Sequence, residues 1–156
     1  MPRIVLPERE GTNFEKALSK APALKSLYDK LYHFLWNDRL LPKEIKEKIR
    51  LYLAHINGCM TCMSLSYIEN EELNTQIAEA FRNNDFSHFS ALEQQLFLFI
   101  ERYRVSPRSI TDQDVEELRH HFTDEQLIHL LGLINLFDSF HKIIVSLDLY
   151  DFCSRG

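Results

Sequence analysis

The segment Pro42-Lys43-Glu44-Ile45-Lys46-Glu47-Lys48-Ile49-Arg50-Leu51-Tyr52-Leu53-Ala54-His55-Ile56-Asn57-Gly58-Cys59-Met60-Thr61-Cys62 reads as one helix, its stop and the start of a second. Pro42 suits a helix start, where a missing N–H costs nothing. Ile45, Ile49, Tyr52, Leu53 and Ile56 recur with helical period, and Gly58 supplies the residue on which such a helix ends. The same pattern extends outward. Leu24, Leu27, Leu31, Phe34 and Leu35 form a second stripe, and Leu92, Leu96, Phe99, Ile100 and Tyr103 a third; each is expected to face a core. Thr12/Glu15, Ser90/Glu93 and Thr123/Gln126 fit capping boxes, with Thr111/Asp114 a shorter version. Pro22 and Pro107 stand at or near first turns, and residues 83–89 read as a connecting loop. The last element, from about Thr123 to before Tyr150, is apolar on most of its circumference in its first half, as suits a core or subunit-contact helix. Four glycines and five prolines in 156 residues, with leucine far outnumbering valine, favour an all-α chain forming one domain over residues 1–156.

Eighteen basic and 23 acidic residues give a net charge of −5, which repels a polyanion, so no nucleic-acid partner is expected. No window is expected to reach the ~18 to 20 apolar residues of a membrane span, since Leu127–Phe137 carries His129 and stops at Asp138. The opening residues lack a useful signal-peptide core, so a soluble, cytoplasmic protein is expected. Three cysteines are too few for a disulfide scaffold.

Cys59 and Cys62 lie three apart in the first turn of a helix, where a disulfide fits within the turn. The partial positive charge of a helix start favours thiolate and makes Cys59 a candidate nucleophile. The plainer reading is two buried cysteines. A zinc site would need further ligands from His120, His121 or Cys153, and adjacent helical histidines point about 100° apart; no metal or cofactor is expected beyond the cysteines. Glu47, twelve residues before Cys59, shares a helix side with Leu51 and Ala54, which turns apolar toward the cysteines. It reads either as a proton-exchanging carboxylate or as a solvated partner of Lys43 or Arg50.

Glu47 through Cys62 resembles the core motif of the carboxymuconolactone decarboxylase family, in its AhpD-like alkylhydroperoxidase branch: Glu, eleven residues, Cys-x-x-Cys, three residues, His. Met1–Ile4, Ser90–Val115 and Phe122–Leu127 are similar to its peroxidase-related members. The resemblance implies a bundle of about six to eight helices, assembled as a trimer, dimer or hexamer. Its redox-active disulfide would reduce hydroperoxides with electrons from a dithiol or lipoyl-type donor protein. By the same resemblance Cys62 meets the peroxide, Cys59 resolves it and Glu47 belongs to the proton relay. The motif's histidine is replaced by Ser66, expected on the helical face of Cys62, and a hydroxyl is too weak a base to make thiolate at pH 7. His55 is the nearest substitute in sequence and His141, on the last helix, a substitute in space. Cys153 reads as structural or incidental. The expected activity is that of a thiol-dependent antioxidant peroxidase. The alternatives are a non-catalytic or weakly active redox-sensing or interaction protein, and a lactone decarboxylase of the same family.

Overall fold

The computed structural model describes residues 1–151. Among them are eight α-helices and no strand: α1 (Asn13–Leu18), α2 (Pro22–Asn37), α3 (Lys43–Ile56), α4 (Met60–Ser64), α5 (Glu71–Asn83), α6 (Ala91–Val105), α7 (Asp112–Arg119) and α8 (Asp124–Ser146). A 3-10 turn, Pro107–Ser109, joins α6 to α7. All four capping boxes form, Thr111/Asp114 included. Pro22 is the first residue of α2 and Pro42 caps α3.

The stop after α3 places the cysteines. Gly58 adopts φ +66°, its N–H donates to the His55 carbonyl at 3.0 Å, and the Cys59 N–H donates to the Ala54 carbonyl at 2.9 Å. These two bonds are the Schellman pattern, which turns the chain sharply and starts α4 at once. A Cβ on Gly58 would meet nothing within 4 Å, so the whole cost of a side chain there is the left-handed backbone. Gly58→Ala is therefore expected to lower stability by about 1–2 kcal/mol, read as a drop in urea midpoint at unchanged slope.

α3 is the central element, packed against α4, α5 and α8. The apolar stripe accounts for one face of it, yet every residue from Lys46 to Ala54 is buried, the charged ones included. Its charges survive burial because each has partners. Lys46 Nζ donates to the carbonyls of Leu35 (2.7 Å), Trp36 (3.1 Å) and Asp38 (2.9 Å), closing the C-terminal end of α2. Lys48 bridges Glu44 and Glu93, and Arg50 pairs with Glu47.

The fold corrects two expectations. On α2 only Leu35 of the apolar stripe is buried, alongside Trp36; Leu24, Leu27, Leu31 and Phe34 are exposed, Leu27 by 64% and Phe34 by 58%. Periodicity locates an apolar face but not what covers it. The second concerns α8, which is long and apolar enough, by length and composition alone, to cross a membrane, contrary to the sequence expectation. In the fold it is a core helix, burying Leu130, Leu133, Ile134, Leu136 and Phe137 together with Asp138 and His141, and packing on α2, α3 and α7.

Candidate active site

Cys59 and Cys62 are joined by a disulfide, with Cα atoms 5.3 Å apart. Cys59 caps α4 and is fully buried, whereas Cys62, one turn on, retains 6% exposure. A small apolar cluster surrounds the pair: Ala54 of α3, Ile144 of α8 and Leu149, with Ile4, Leu6 and Phe14 packed around it. Both ends of the described chain are fastened over this cluster. The Arg3 N–H donates to the Leu147 carbonyl at 2.9 Å, and the Asn13 amide donates to the Tyr150 carbonyl at 2.8 Å.

Cys62 opens onto a cavity of about 260 Å³ between α1, α2 and α8, and Cys59 does not line it. Phe14, Tyr32, Tyr67, Phe137, Phe140 and His141 give it an aromatic wall, and Glu15, Lys25 and Asp29 reach its rim. Phe140 contacts both Phe14 and Tyr28 edge to face, at centroid distances of 5.2 and 5.1 Å. Burial pushes the Tyr32 hydroxyl up to about 12, so this wall is uncharged near neutral pH.

Beneath the cysteines Glu47 is fully buried, and its carboxylate is occupied. Arg50 Nε and Nη2 donate to its two oxygens at 2.7 Å each, and the Tyr67 N–H donates to Oε1 at 2.9 Å. Arg50 also donates to the carbonyls of Cys62 (2.7 Å) and Leu65 (2.6 Å), and its guanidinium stacks 4.1 Å from the centre of the Tyr67 ring. Glu47 thus orients Arg50, and Arg50 holds α4 by its C-terminal carbonyls. Glu47 does pair with Arg50, as one reading expected, but buried rather than solvated. The contacts of its carboxylate are with Arg50 and a backbone N–H, not with sulfur.

Ser66 is not on the helical face of Cys62. α4 stops at Ser64, Leu65 is extended, and the Ser66 hydroxyl donates to the Ile68 carbonyl at 2.8 Å. The helix ends early because side chains take its carbonyls: Asn74 donates to Met63 (3.0 Å) and Leu65 (2.8 Å), beside the two bonds from Arg50. His55 is also displaced from its expected role. Its ring stacks on Phe81 of α5 at 4.8 Å, and it does not line the Cys62 cavity. His120 and His121 line a different cleft with Arg102 and Glu117, and Cys153 lies outside the described residues.

His141 is the histidine that shares the cavity with Cys62. It is 2% exposed, and its Nδ1 has no hydrogen-bond partner among the described residues. Burial, assisted by the nearby Arg50 charge, pushes its pKa from the ordinary 6.5 down to about 3. The folded chain holds the imidazole neutral, so between these values the unfolded chain binds the extra proton. The stability this represents is complete above pH 6.5 and is lost as pH falls toward 3, at up to about 1.4 kcal/mol per pH unit. Burial lowers His55 in the same direction, while the lowered carboxylates Asp38, Glu93 and Asp138 begin to weaken the fold only below about pH 5. The urea midpoint is expected to fall from pH 6.5 to 4.5, and His141→Phe to remove most of that slope.

No protein-family model and no curated protein matches the sequence. The fold does match solved structures. One is the alkylhydroperoxidase AhpD core of an uncharacterized peroxidase-related protein from Ralstonia eutropha JMP134, with TM-score 0.74 and 19% identity over 89% of this chain and 76% of that one. Another is an uncharacterized peroxidase-related protein from Silicibacter sp. TM1040, with TM-score 0.72 and 17% identity over 96% and 91%. A third is a cysteine-to-alanine variant of the debrominase Bmp8 in complex with 2,3,4-tribromopyrrole, with TM-score 0.71 and 17% identity over 91% and 78%. The chain therefore has the AhpD-like fold, which carries more than one chemistry.

Proposed function

We propose that this chain is a dithiol peroxidase that reduces organic hydroperoxides through Cys59 and Cys62. The observation carrying this reading is the asymmetry of the pair: Cys62 faces an aromatic cavity and Cys59 lies bonded behind it, fully buried. In the reduced protein the Cys62 thiolate attacks a peroxide oxygen. The O–O bond breaks, the alcohol leaves with a proton, and Cys62 carries a sulfenic acid. The Cys59 sulfur then attacks the Cys62 sulfur, the S–O bond breaks, water leaves and the disulfide forms. An external dithiol protein, of lipoyl or thioredoxin type, returns two electrons by thiol–disulfide exchange.

His141 is the histidine that serves the cavity in place of the one Ser66 replaces. With its pKa held at about 3 the ring does not keep the thiol proton as an imidazolium; its unpartnered Nδ1 accepts a hydrogen bond from the Cys62 thiol or the hydroperoxide O–H, and the proton leaves on the departing alcohol. The Arg50 cation, bonded to the Cys62 carbonyl, favours the Cys62 thiolate. Glu47 is a positioning residue acting through Arg50. A second copy of the chain covers the exposed apolar face of α2 with Ile128 of α8, which Phe34 adjoins through its ring contact with His129 at 5.3 Å. The reducing conditions of the cytoplasm suit the dithiol cycle.

The test is stoichiometric. One equivalent of cumene hydroperoxide added to fully reduced protein should consume two thiols and release one equivalent of cumyl alcohol. Persistence of both thiols would leave the non-catalytic reading standing.

A further inference from the structure

The aromatic cavity does not end at its rim. Lys25 and Asp29 of α2 line it, and the same two residues line a second, more open cleft of about 520 Å³. That cleft is basic: Arg9, Lys25, Lys30 and His33 surround it, with Asp29 the one acidic residue in its wall. Lys25 is paired with Asp29, whereas Arg9 and Lys30 form no ion pair among the described residues. In a chain of net charge −5, two unpaired cations beside one cleft run against the overall field and attract an anion there. The two hollows share a border at the Lys25/Asp29 pair, and a path along α2 across that border runs from exposed basic groups to aromatic rings and Cys62. With a rise of about 1.5 Å per residue, Lys25 and Tyr32 stand about 10 Å apart along the helix.

We propose that this path binds a long-chain carboxylate, so that the preferred hydroperoxide is one carried on an aliphatic carboxylic acid. The carboxylate sits between Arg9 and Lys30, and the chain lies against Tyr32, Phe137 and Phe140. The substrate class rests on the peroxidase reading above, and the reaction is unchanged: the peroxide becomes an alcohol and water while two thiols become the disulfide.

Two experiments separate this proposal from that reading. The first needs no turnover: binding of decanoate and of decanol to the Cys59→Ser/Cys62→Ser protein, followed by calorimetry or by NMR shifts on α2. Decanoate should bind at least tenfold more tightly than decanol, and weaken with added salt. Arg9→Gln/Lys30→Gln should remove that preference while leaving decanol binding unchanged. Equal affinity for the two ligands, or no change in the double variant, would overturn the proposal.

The second compares linoleic acid hydroperoxide with its methyl ester. The acid should show at least tenfold higher kcat/KM, and the double variant should lose this advantage while reducing cumene hydroperoxide at the normal rate. Reduction of cumene hydroperoxide with no preference for the acid refutes the carboxylate path alone. Preferential decanoate binding without reduction of any hydroperoxide refutes the peroxidase reading and keeps the path.

Discussion

Cys62→Ser is expected to lower hydroperoxide turnover on the order of 10³-fold or more, because it removes the sulfur proposed as nucleophile, which faces the cavity, and leaves a hydroxyl of far higher pKa. Cys59→Ser is expected to behave differently. The variant should consume one equivalent of peroxide and stop at the sulfenic acid, since the atom that would displace water is gone. Steady-state turnover with a dithiol reductant would fall in both variants, while single-turnover alcohol release would survive only in Cys59→Ser. A circular dichroism melt belongs beside both measurements, because Cys59 sits in the apolar cluster of Ala54, Ile144 and Leu149. A serine hydroxyl left without a partner there costs about 1–3 kcal/mol. Equal turnover in either variant and the parent would remove the dithiol from the chemistry.

The second large effect concerns Arg50, which is 1% exposed. Arg50→Met keeps much of the side chain's length but leaves the Glu47 carboxylate buried with only the Tyr67 N–H, frees the Cys62 carbonyl, and leaves that of Leu65 with its bond from Asn74 alone. Removing one member of a buried ion pair typically costs about 3–5 kcal/mol, since the remaining charge is uncompensated. The variant is expected to be destabilised by that amount in urea. The double variant Glu47→Gln/Arg50→Met should recover a good part of it, because no charge is then stranded. If the single variant lost less than about 1 kcal/mol, the pair would not be what holds α4 in place.

The local grammar of this fold was legible in the sequence, because its signals act over three or four residues. The capping boxes at Thr12, Ser90, Thr111 and Thr123, and the stop at Gly58, need only neighbouring backbone to form, and all do. The Cys-x-x-Cys spacing likewise carried its disulfide within one helical turn. What depended on distant partners was not legible. The polar side of α3 is buried because α2 offers carbonyls to Lys46, α6 offers Glu93 to Lys48, and the segment after α4 closes over Glu47 and Arg50. The register that puts Ser66 off the helix is set by Asn74 and Arg50, outside any local window. His55 sits four residues from Cys59 yet faces Phe81; His141, the substitute expected in space, does line the cavity, because α8 packs along α3. Arg50 had one signal, its i,i+3 spacing from Glu47, and that spacing alone does not distinguish a surface pair from a buried one.

The division of labour between the two sulfurs can be read from a sulfenic-acid trap. Reduced Cys59→Ser protein is treated with one equivalent of cumene hydroperoxide in the presence of dimedone, and the modified residue is located by peptide mapping. A single adduct on Cys62, formed as fast as cumyl alcohol appears, is the expected result. Absence of an adduct while alcohol is still formed, or an equally rapid adduct on Cys59 in the Cys62→Ser protein, would contradict it.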